Sequence, residues 1–329
     1  MKDIGIDLGT ANVLIYIKDE GVVLNEPSVI AIDNDTKEVL AVGEEANKMV
    51  GRTPNKVNAI KPLKDGVIAD FESAYKMLEE FIKKINKKGI KKKTVIICCP
   101  SNVTQVEKNA FYELIENIGA KKIYVQDESI IAALGVGLEI QEAEGSMIVD
   151  IGGGTTDIAI LSLGSIVTSN SIKVAGNTFD NAIINYIKDK YDLLIGEKTA
   201  EEIKIKLANI KDIDKDNFLE IKGRSIKEGM PKTIKITEEE VKEALIPEID
   251  KITVEIKKIL ENNSPELSSD IVDKGIIITG GGALIKGINE YIYEKIKIPV
   301  FIASNPLTCI ADGCGILLNN PKILNKNCW

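Results

Sequence analysis

Two short segments of the chain combine an aspartate, glycines and threonines in the same order. Residues 7–10 read Asp-Leu-Gly-Thr, and residues 150–157 read Asp-Ile-Gly-Gly-Gly-Thr-Thr-Asp. Each segment lies between two apolar runs, which predicts a β-strand, a glycine turn and a returning strand. Glycines let backbone N–H groups approach phosphate oxygens, and threonine hydroxyls add hydrogen bonds. Two such hairpins facing one another would be able to hold a polyphosphate between them.

The aspartate at the end of each first strand indicates a metal ion. A carboxylate against bare phosphate is repelled, but it is well placed to hold Mg²⁺ through water. We therefore interpret Asp7 and Asp150 as carboxylates on the metal side of the site. A single Asp-Leu-Gly-Thr segment is more often an ordinary turn. The second copy and a further glycine cluster favour the functional interpretation.

The further cluster is residues 279–284, which read Thr-Gly-Gly-Gly-Ala-Leu after a strand-like run and before a helical pattern. A strand that leads into glycines and a helix N-terminus would let a planar base or an anion lie against exposed backbone. The cluster lacks the Lys-Ser/Thr of a Walker A loop and does not match the dinucleotide fingerprint. Taken alone, it is equally well explained as a tight strand-to-helix turn.

Composition limits the possible classes of protein. With 329 residues, 44% of them apolar, the chain is long enough for two domains. No apolar run reaches the roughly 18 residues of a membrane span, and the first residues lead directly into a strand, so we expect a cytosolic protein. The net charge of −8 argues against general nucleic-acid binding. The absence of histidine and of paired cysteine spacings argues against zinc and against an imidazole base.

The elements that would position these motifs follow from periodicity and turn residues. In the first half we expect strands in the first hairpin and in short runs up to residue 42, then alternating helices and strands at 71–86, 94–99, 103–118, 123–125 and 128–137. In the second half we expect strands at 146–151, 156–163 and 165–174, followed by a helix at 177–191. A polar insert at 192–238 contains a helix at 200–209. A long helix at 241–259, a strand at 275–279, and a final strand and helix complete the half. Pro247 is expected to kink or divide the long helix. The second half thus repeats the α/β plan of the first.

Residues 4–12, 150–157 and 278–284 closely resemble the phosphate-1, phosphate-2 and adenosine motifs of the actin/heat-shock/sugar-kinase superfamily. Within that superfamily the chain is similar to the MreB/Mbl family of bacterial actin-like rod-shape-determining proteins. The resemblance covers nearly the whole length, and its most specific segments are residues 25–28, 51–54, 64–70, 196–201 and 265–267.

The resemblance implies a duplicated actin-like, ribonuclease H-like ATPase fold of the α/β class, with two lobes and four subdomains around a central nucleotide cleft. By analogy, residues 1–32 and 71–138 form subdomain IA and residues 33–70 form subdomain IB. Residues 139–174 and 246–329 form subdomain IIA, and residues 175–245 form subdomain IIB.

The resemblance also implies which residues bind ATP and Mg²⁺. The phosphates are assigned to one turn formed by Gly9, Thr10, Ala11 and Asn12 and to another formed by Gly152, Gly153, Gly154 and Thr155. The base is assigned to Gly280, Gly281, Gly282, Ala283 and Leu284. Glu201 and Lys204 correspond to family residues near the ribose and adenine, although their spacing alone predicts only a solvated pair on a helix.

The catalytic positions of the family correspond to Glu128 and Thr155, which would orient a water molecule for attack on the terminal phosphate. Hydrolysis of this kind depends mostly on positioning and charge stabilisation. The family usually has Glu-Glu-Pro where this chain has Asp127-Glu128-Ser129, so we expect a looser helix start and leave the ATPase rate open. Without the family, Glu128 is explained by compensation of the helix dipole.

The function implied is that of a slow ATPase that forms filaments of paired protofilaments by homopolymerisation. Such filaments organise cell-wall elongation and maintain rod shape at the inner face of the cytoplasmic membrane, with membrane proteins of the MreC, MreD, RodZ and RodA type as partners. The alternatives are a small-molecule kinase of the superfamily, a chaperone and a plasmid-segregating actin-like filament protein.

Contact with an anionic membrane is a separate hypothesis from the sequence. Residues 83–93 contain seven lysines and only two apolar residues, Ile85 and Ile90. Each lysine near an anionic leaflet contributes about 1 kcal/mol. The alternative is that these lysines only solvate a helix end. For the tail, residues 321–329, the sequence predicts disorder.

Overall fold

The structure, a computed structural model, describes residues 2–86, 90 and 93–320. The strands are β1 Ile4–Leu8, β2 Asn12–Ile17, β3 Gly21–Pro27, β4 Ile30–Asp33, β5 Val39–Val42, β6 Val57–Ile60, β7 Leu63–Lys64, β8 Val67–Ile68, β9 Thr94–Cys99, β10 Lys122–Asp127, β11 Ser146–Ile151, β12 Thr156–Ser162, β13 Ser165–Ile172, β14 Leu193–Leu194, β15 Phe218–Ser225, β16 Pro231–Thr237, β17 Ile276–Thr279 and β18 Val300–Ile302. The helices are α1 Glu44–Met49, α2 Phe71–Ile85, α3 Gln105–Asn117, α4 Glu128–Gly135, α5 Gly176–Tyr191, α6 Glu197–Leu207, α7 Glu238–Glu261, α8 Pro265–Lys274, α9 Ile288–Ile296 and α10 Cys309–Asn319. This alternation of strands and helices confirms the predicted α/β class.

Two five-stranded sheets share one topology. The first has the order β10-β9-β1-β2-β3, and the second has the order β13-β12-β11-β17-β18. In each sheet the central strand pairs antiparallel with the next strand in the chain and parallel with a later one. Strand β1 therefore corresponds to β11, β2 to β12, and β9 to β17. This correspondence confirms the predicted repetition of elements. We call the part built on the first sheet the first lobe and the part built on the second sheet the second lobe.

The central strands β1 and β11 are buried along their whole length. Their apolar side chains, such as Ile6 and Val149, belong to the main apolar clusters of the two lobes. Strands covered on both faces have nearly continuous apolar sequences. The charged exceptions are Asp7 and Asp150, which lie near the ends of these strands, where the glycine turns begin. A buried carboxylate is costly, so these two positions point to a function rather than to packing.

Helices α4 and α10 form the joint between the lobes. They pack directly on each other, and α10 also lies against β1 and β2 of the first sheet while α4 contacts β11 and β12 of the second. A shared apolar cluster that includes Ile131, Cys98 and Leu317 fills the joint. The helix that follows the last sheet strand of each lobe thus contributes to the contact between the two lobes.

Smaller sheets lie outside this duplicated core. One has the order β5-β4-β6, the hairpin β7-β8 follows it, and another has the order β14-β15-β16. These elements fall largely within the predicted inserts at 33–70 and 175–245, and the subdomain bounds themselves stay a prediction. Among the described residues, no helix combines the length and apolar character needed to cross a bilayer.

Three local features differ from the sequence-based expectations. Helix α7 continues through Pro247, so of the two expected outcomes, a kink or a division, the division does not occur. Burial of Leu245, Ile249 and Ile252 on either side of the proline holds the helix together despite the missing N–H donor. Helix α8 was not predicted, although Ser264 caps it by accepting a hydrogen bond from the Leu267 amide. The third glycine cluster forms a 3₁₀ helix, Gly281–Leu284, before α9 begins.

Candidate functional site

The two glycine turns have the same backbone hydrogen bond. In the first turn the amide of Gly9 donates to the carbonyl of Asn12 at 3.1 Å, and in the second the amide of Gly152 donates to the carbonyl of Thr155 at 2.9 Å. Each turn joins the same pair of strands in its own lobe, β1 to β2 and β11 to β12. The turns are therefore equivalent parts of the duplication.

The two turns face one another. A Cβ added to Gly154 would lie 2.6 Å from the Thr10 hydroxyl, and one added to Gly153 would lie 2.6 Å from the Ala11 Cβ. Any larger residue at these two positions would separate the turns. The arrangement brings both sets of backbone amides to one place, as the sequence predicted from the two motifs.

Each turn is also held from outside through its carbonyl oxygens. The Ser28 amide donates to the carbonyl of Ala11 at 2.8 Å, and the Ser28 hydroxyl donates to that of Gly9 at 2.6 Å. In the second lobe, the amide of Gly176 donates to the carbonyl of Gly152 at 3.0 Å, and that of Asn177 to the carbonyl of Gly153 at 2.8 Å. These bonds fix both turns before any ligand binds.

A cleft of about 490 Å³ lies between the lobes at these turns. The structure brings nearly all of the sequence-predicted site residues to its walls: Asp7, Gly9, Thr10, Ala11, Asn12, Glu128, Asp150, Gly152, Gly153, Gly154, Thr155, Glu201, Lys204, Gly280, Gly281, Gly282 and Leu284. Ala283 is the exception, because it is buried beside the cleft rather than lining it. The volume lies within the range of small-molecule and cofactor sites.

One wall of the cleft is apolar and open to solvent. Leu284 and Leu307 keep 56% and 52% of their surface exposed, and Ile205 on α6 keeps 75%. Large apolar side chains exposed together at a cleft are suited to cover a flat ring. Leu307 and Ile205 were not predictable from the sequence, because a single apolar residue in a loop or on a helix carries no signal of its own.

Asp7 and Asp150 are buried on the floor of the cleft. Burial raises the pKa of Asp7 to about 7. Burial, together with the charges of Asp157 and Asp7, raises the pKa of Asp150 to about 8. The sequence did not identify Asp157, whose pKa is also raised by burial. A bound proton or cation would reduce the repulsion among these carboxylates.

The donor set fits Mg²⁺ bound through water. Carboxylate oxygens are the ligands that this ion prefers, and it retains several of its waters in proteins. Within residues 2–86, 90 and 93–320, no three Asp, Glu or Cys side chains come together to hold a metal ion directly. Asp7 and Asp150 are thus suited to an ion that arrives with a phosphate ligand and keeps its own water shell.

Glu128 is at the first position of α4 and is buried within the cleft. Burial raises the pKa of its carboxyl well above the usual value, and the charges of Asp157, Asp7 and Asp150 add to this effect. Ser129, at the position where the resemblance implies a proline, is buried, and its hydroxyl lies 3.0 Å from that of Ser101. The start of α4 is therefore held by a hydrogen bond between side chains.

The two-residue turn of the β7-β8 hairpin contacts the first glycine turn. Asp65 and Gly66, between β7 and β8, both have positive φ angles, of 51° and 79°, as a two-residue type I′ turn requires. The amide of Gly66 donates to the Thr10 hydroxyl at 2.9 Å. Asp65 pairs with Lys173 of the second lobe at 3.5 Å. The Asp-Gly pair signalled the turn in the sequence, but its contact with Thr10 depends on the tertiary fold.

Glu201 and Lys204 lie one turn apart on α6 and have different surroundings. Glu201 is exposed at the mouth of the cleft. The Lys204 ammonium lies 2.8 Å from the Asp180 carboxylate and donates to the carbonyl of Gly176 at 3.1 Å. The expectation of a merely solvated pair is therefore wrong for Lys204, which is anchored to α5.

Comparison with known proteins agrees with this geometry. A family model described as MreB/Mbl protein matches residues 1–326. The chain is 53% identical to the cell shape-determining protein Mbl of Bacillus subtilis (strain 168) over 326 residues, which cover 99% of this chain and 98% of that protein. It is 45% identical to the cell shape-determining protein MreB of Escherichia coli (strain K12) over 320 residues, covering 95% and 92% of the two chains.

A solved structure is similar over nearly the whole chain. The crystal structure of MreB 5 of Spiroplasma citri bound to AMPPNP matches with a TM-score of 0.94 and 42% sequence identity, covering 98% of each chain. This match confirms the predicted actin-like fold. From the family model and from relatives of this identity and coverage, we conclude that the chain belongs to the MreB/Mbl family of actin-like, cell shape-determining proteins.

Proposed function

We propose that this protein binds ATP with Mg²⁺ between its two lobes and hydrolyses it slowly. The nucleotide state then controls assembly into filaments that organise cell-wall elongation and maintain rod shape. The main support for the proposal is the pair of equivalent glycine turns that face each other at one cleft. In each turn a glycine amide, that of Gly9 or Gly152, donates a hydrogen bond to the carbonyl three residues later.

Each wall of the cleft has a part in nucleotide binding under this proposal. The turns at 9–12 and 152–155 present backbone amides and hydroxyls to the phosphates. The Gly280–Gly282 backbone with Leu284 and Leu307 covers the base, and Glu201 accepts from the ribose hydroxyls. One relative of the family has been solved bound to AMPPNP and also to ADP, which supports a nucleotide as the ligand.

Asp7 and Asp150 would hold a Mg²⁺ ion through water. When bound, the ion neutralises phosphate charge and so stabilises the transition state of phosphoryl transfer. The chain's own contribution is to keep the two carboxylates buried and close to the turns, where their negative charge attracts the cation.

Glu128 and Thr155 orient the attacking water. A carboxylate with a raised pKa accepts a proton near neutral pH more readily than an exposed one. The Thr155 side chain lines the same cleft and supplies a hydroxyl at the end of the second turn. Since no histidine or arginine lies among the cleft residues, catalysis rests on positioning, which agrees with a slow ATPase.

The cellular part of the proposal rests on the family. It comprises self-assembly into paired protofilaments, a peripheral place at the inner face of the cytoplasmic membrane, and partners of the MreC, MreD, RodZ and RodA type, without nucleic acid. The lysine-rich segment proposed to contact anionic lipid lies partly outside the described residues, at 87–89 and 91–92. Within the described part, Lys83 pairs with Glu79 and Glu80, and Lys84 pairs with Glu26.

Isothermal titration calorimetry tests nucleotide binding. We expect saturable uptake of one ATP per chain with Mg²⁺ present, and weaker uptake when Mg²⁺ is chelated. A well-folded preparation that takes up no adenine nucleotide would contradict the proposal.

Sedimentation with ATP or ADP, followed by electron microscopy, tests assembly. Straight paired filaments in the ATP sample would support the proposal. A chain that stays in the supernatant and transfers phosphate to a sugar would instead identify a small-molecule kinase.

Co-sedimentation with vesicles containing anionic lipid tests the membrane contact. Binding that weakens in salt and after lysine-to-glutamate changes in residues 83–93 is expected. Binding that is indifferent to both would rule out an electrostatic contact through this segment.

A further inference from the structure

We propose that Asp180 is a positioning residue for nucleotide binding, which holds the Lys204 ammonium at the cleft wall and ties α6 to the second phosphate turn. This inference rests on the proposed binding of ATP and extends it to a residue that does not itself line the cleft.

The ammonium of Lys204 has two neighbours, both on α5. The carboxylate of Asp180 lies 2.8 Å from it, and the carbonyl of Gly176 accepts a hydrogen bond from it at 3.1 Å. Both partners of the ion pair are largely buried, with 17% of the Lys204 side chain and 13% of the Asp180 side chain exposed. This pair differs from the other ion pairs of the described chain, in each of which at least one side chain is more than a third exposed.

Gly176 connects this pair to the second turn. Its amide donates to the carbonyl of Gly152, and the next amide, of Asn177, donates to the carbonyl of Gly153. Gly176 therefore accepts a hydrogen bond from Lys204 through its carbonyl and supports the second turn through its amide. Since adjacent hydrogen bonds polarise each other, loss of the ammonium weakens the support of the turn.

Asp180 determines where the ammonium lies. A lysine side chain is flexible and loses rotamer freedom when it is held in one place. The carboxylate holds it in place before the ligand arrives, and such pre-organisation reduces the cost of binding. A lysine ammonium has three N–H donors, and its hydrogen bond to the Gly176 carbonyl uses one of them. Asp180 holds the ammonium by charge, since its buried Oδ1 atom lies 2.8 Å away without a hydrogen bond. A remaining N–H donor is suited to an oxygen of the nucleotide, because Lys204 lines the cleft.

Burial of the Asp180 carboxylate has a cost in free energy. Burial raises the pKa of Asp180, although the charge of Lys204 lowers it. The backbone carbonyl of Gly176 offers the ammonium no full charge, so Asp180 is what balances it. A polar or apolar residue at position 180 would pack against α6 but would not hold the ammonium.

A double-mutant cycle tests this role on the full chain, with Mg·ATP affinity measured by calorimetry. Asp180→Asn keeps the size of the side chain and removes its charge, and we expect it to weaken ATP binding roughly tenfold. Lys204→Met removes the ammonium. In the Lys204→Met background, Asp180→Asn should have a further effect below about twofold, because Asp180 acts through Lys204. A merely structural role would weaken binding equally in both backgrounds, and that result would overturn the inference.

Asp250→Asn is the matched control. Asp250 on α7 pairs with Lys295 on α9 at 3.4 Å, within the second lobe and away from the cleft, so ATP affinity should not change. If Asp180→Asn does not fold, as judged by circular dichroism, the cycle uses Asp180→Glu, which keeps the charge and displaces it by one methylene. A wild-type chain that fails to bind ATP would contradict the proposed function, whereas equal losses in both backgrounds would contradict only the role of Asp180.

Discussion

Gly135 of α4 lies directly against the backbone carbonyl of Cys309 at the start of α10. A Cβ at position 135 would be 1.8 Å from the carbonyl oxygen of Cys309. The contact is reciprocal, because a Cβ at Gly313 of α10 would be 2.0 Å from the carbonyl oxygen of Ile131 on α4. The two helices that join the lobes thus cross with their backbones in contact at two glycines.

Gly135→Ala tests this crossing. Alanine favours a helix by about 1 kcal/mol over glycine, so any loss of stability must come from the overlap with Cys309. We expect a net loss of about 1–3 kcal/mol in the free energy of unfolding, measured by urea denaturation. Glu113→Ala on the exposed face of α3 is the control and should change stability by less than about 0.5 kcal/mol. An equally small effect of Gly135→Ala would show that the helices separate freely.

Thr10→Val tests the contact between the first turn and the β7-β8 hairpin. The change removes the hydroxyl that accepts from the Gly66 amide and leaves that buried donor unpaired. We expect a loss of about 1–3 kcal/mol in nucleotide-free stability, together with weaker ATP binding. Thr10→Ser retains the hydroxyl and should keep most of both. Equal behaviour of the two variants would mean that the hydrogen bond is unimportant.

Glu128→Gln tests the proposed catalytic carboxylate. We expect ATP turnover to fall about a hundredfold, because the proton acceptor is lost, while ATP affinity changes little. Nucleotide-free stability at neutral pH should rise, since one buried carboxyl leaves a crowded acidic group. Phosphate release and urea denaturation measure the two effects. Unchanged turnover would remove Glu128 from the mechanism.

The raised pKa values of Asp7 and Asp150 predict a pH dependence of stability. Their folded pKa values of about 7 and about 8 exceed the unfolded value for aspartate, about 3.9. The folded chain therefore holds these protons more tightly, and the free energy of unfolding falls as pH rises from about 4 to about 8. Asp150→Asn should show a shallower fall, measured by urea denaturation without nucleotide or Mg²⁺. Equal slopes for both proteins would contradict the prediction.

Among the residues that the structure describes, two ion pairs connect the lobes, and they predict a salt effect. Lys61 pairs with Glu197 at 3.3 Å, and Lys173 with Asp65 at 3.5 Å. Exposed pairs of this kind contribute about 0.2–1 kcal/mol each. We expect Lys61→Glu and Glu197→Lys each to speed ATP release, and the double swap to restore the rate at low salt. The same swap at Lys227 and Asp192, within one lobe, should leave release unchanged. Failure of the double swap to recover would exclude the pair as a determinant of release.

The sequence predicted those parts of the fold that depend on local patterns. Strand β9 was predicted with the bounds that it has, and α2 within one residue, because their apolar spacing and flanking residues are regular. The continuity of α7 through Pro247 was not predictable in this way. It depends on burial against the second sheet and α5, and tertiary packing overrides the propensity of one residue.

The same distinction applies to the site. The two turns and their aspartates were identifiable, because the motif occurs twice and glycine with aspartate carries chemical meaning. Asp180 was not, because on α5 it is one polar residue among several, and its importance comes from Lys204 on another helix. Asp157 was not identifiable either, because in the sequence it is only the polar last residue of the 150–157 motif. In the structure its carboxyl raises the pKa of Asp150.

The packing of α4 against α10 also determines whether the two halves of the chain can fold as separate fragments. Helix α4 of the first half and helix α10 of the second half each have a buried face that the other half completes. A fragment of residues 1–138 would expose the surface that Leu317 and Leu318 cover, and the complementary fragment would expose the partner surface of Ile131. Separate expression of the fragments is expected to give insoluble material, and co-expression to recover a soluble complex, because each fragment alone leaves an apolar helix face uncovered.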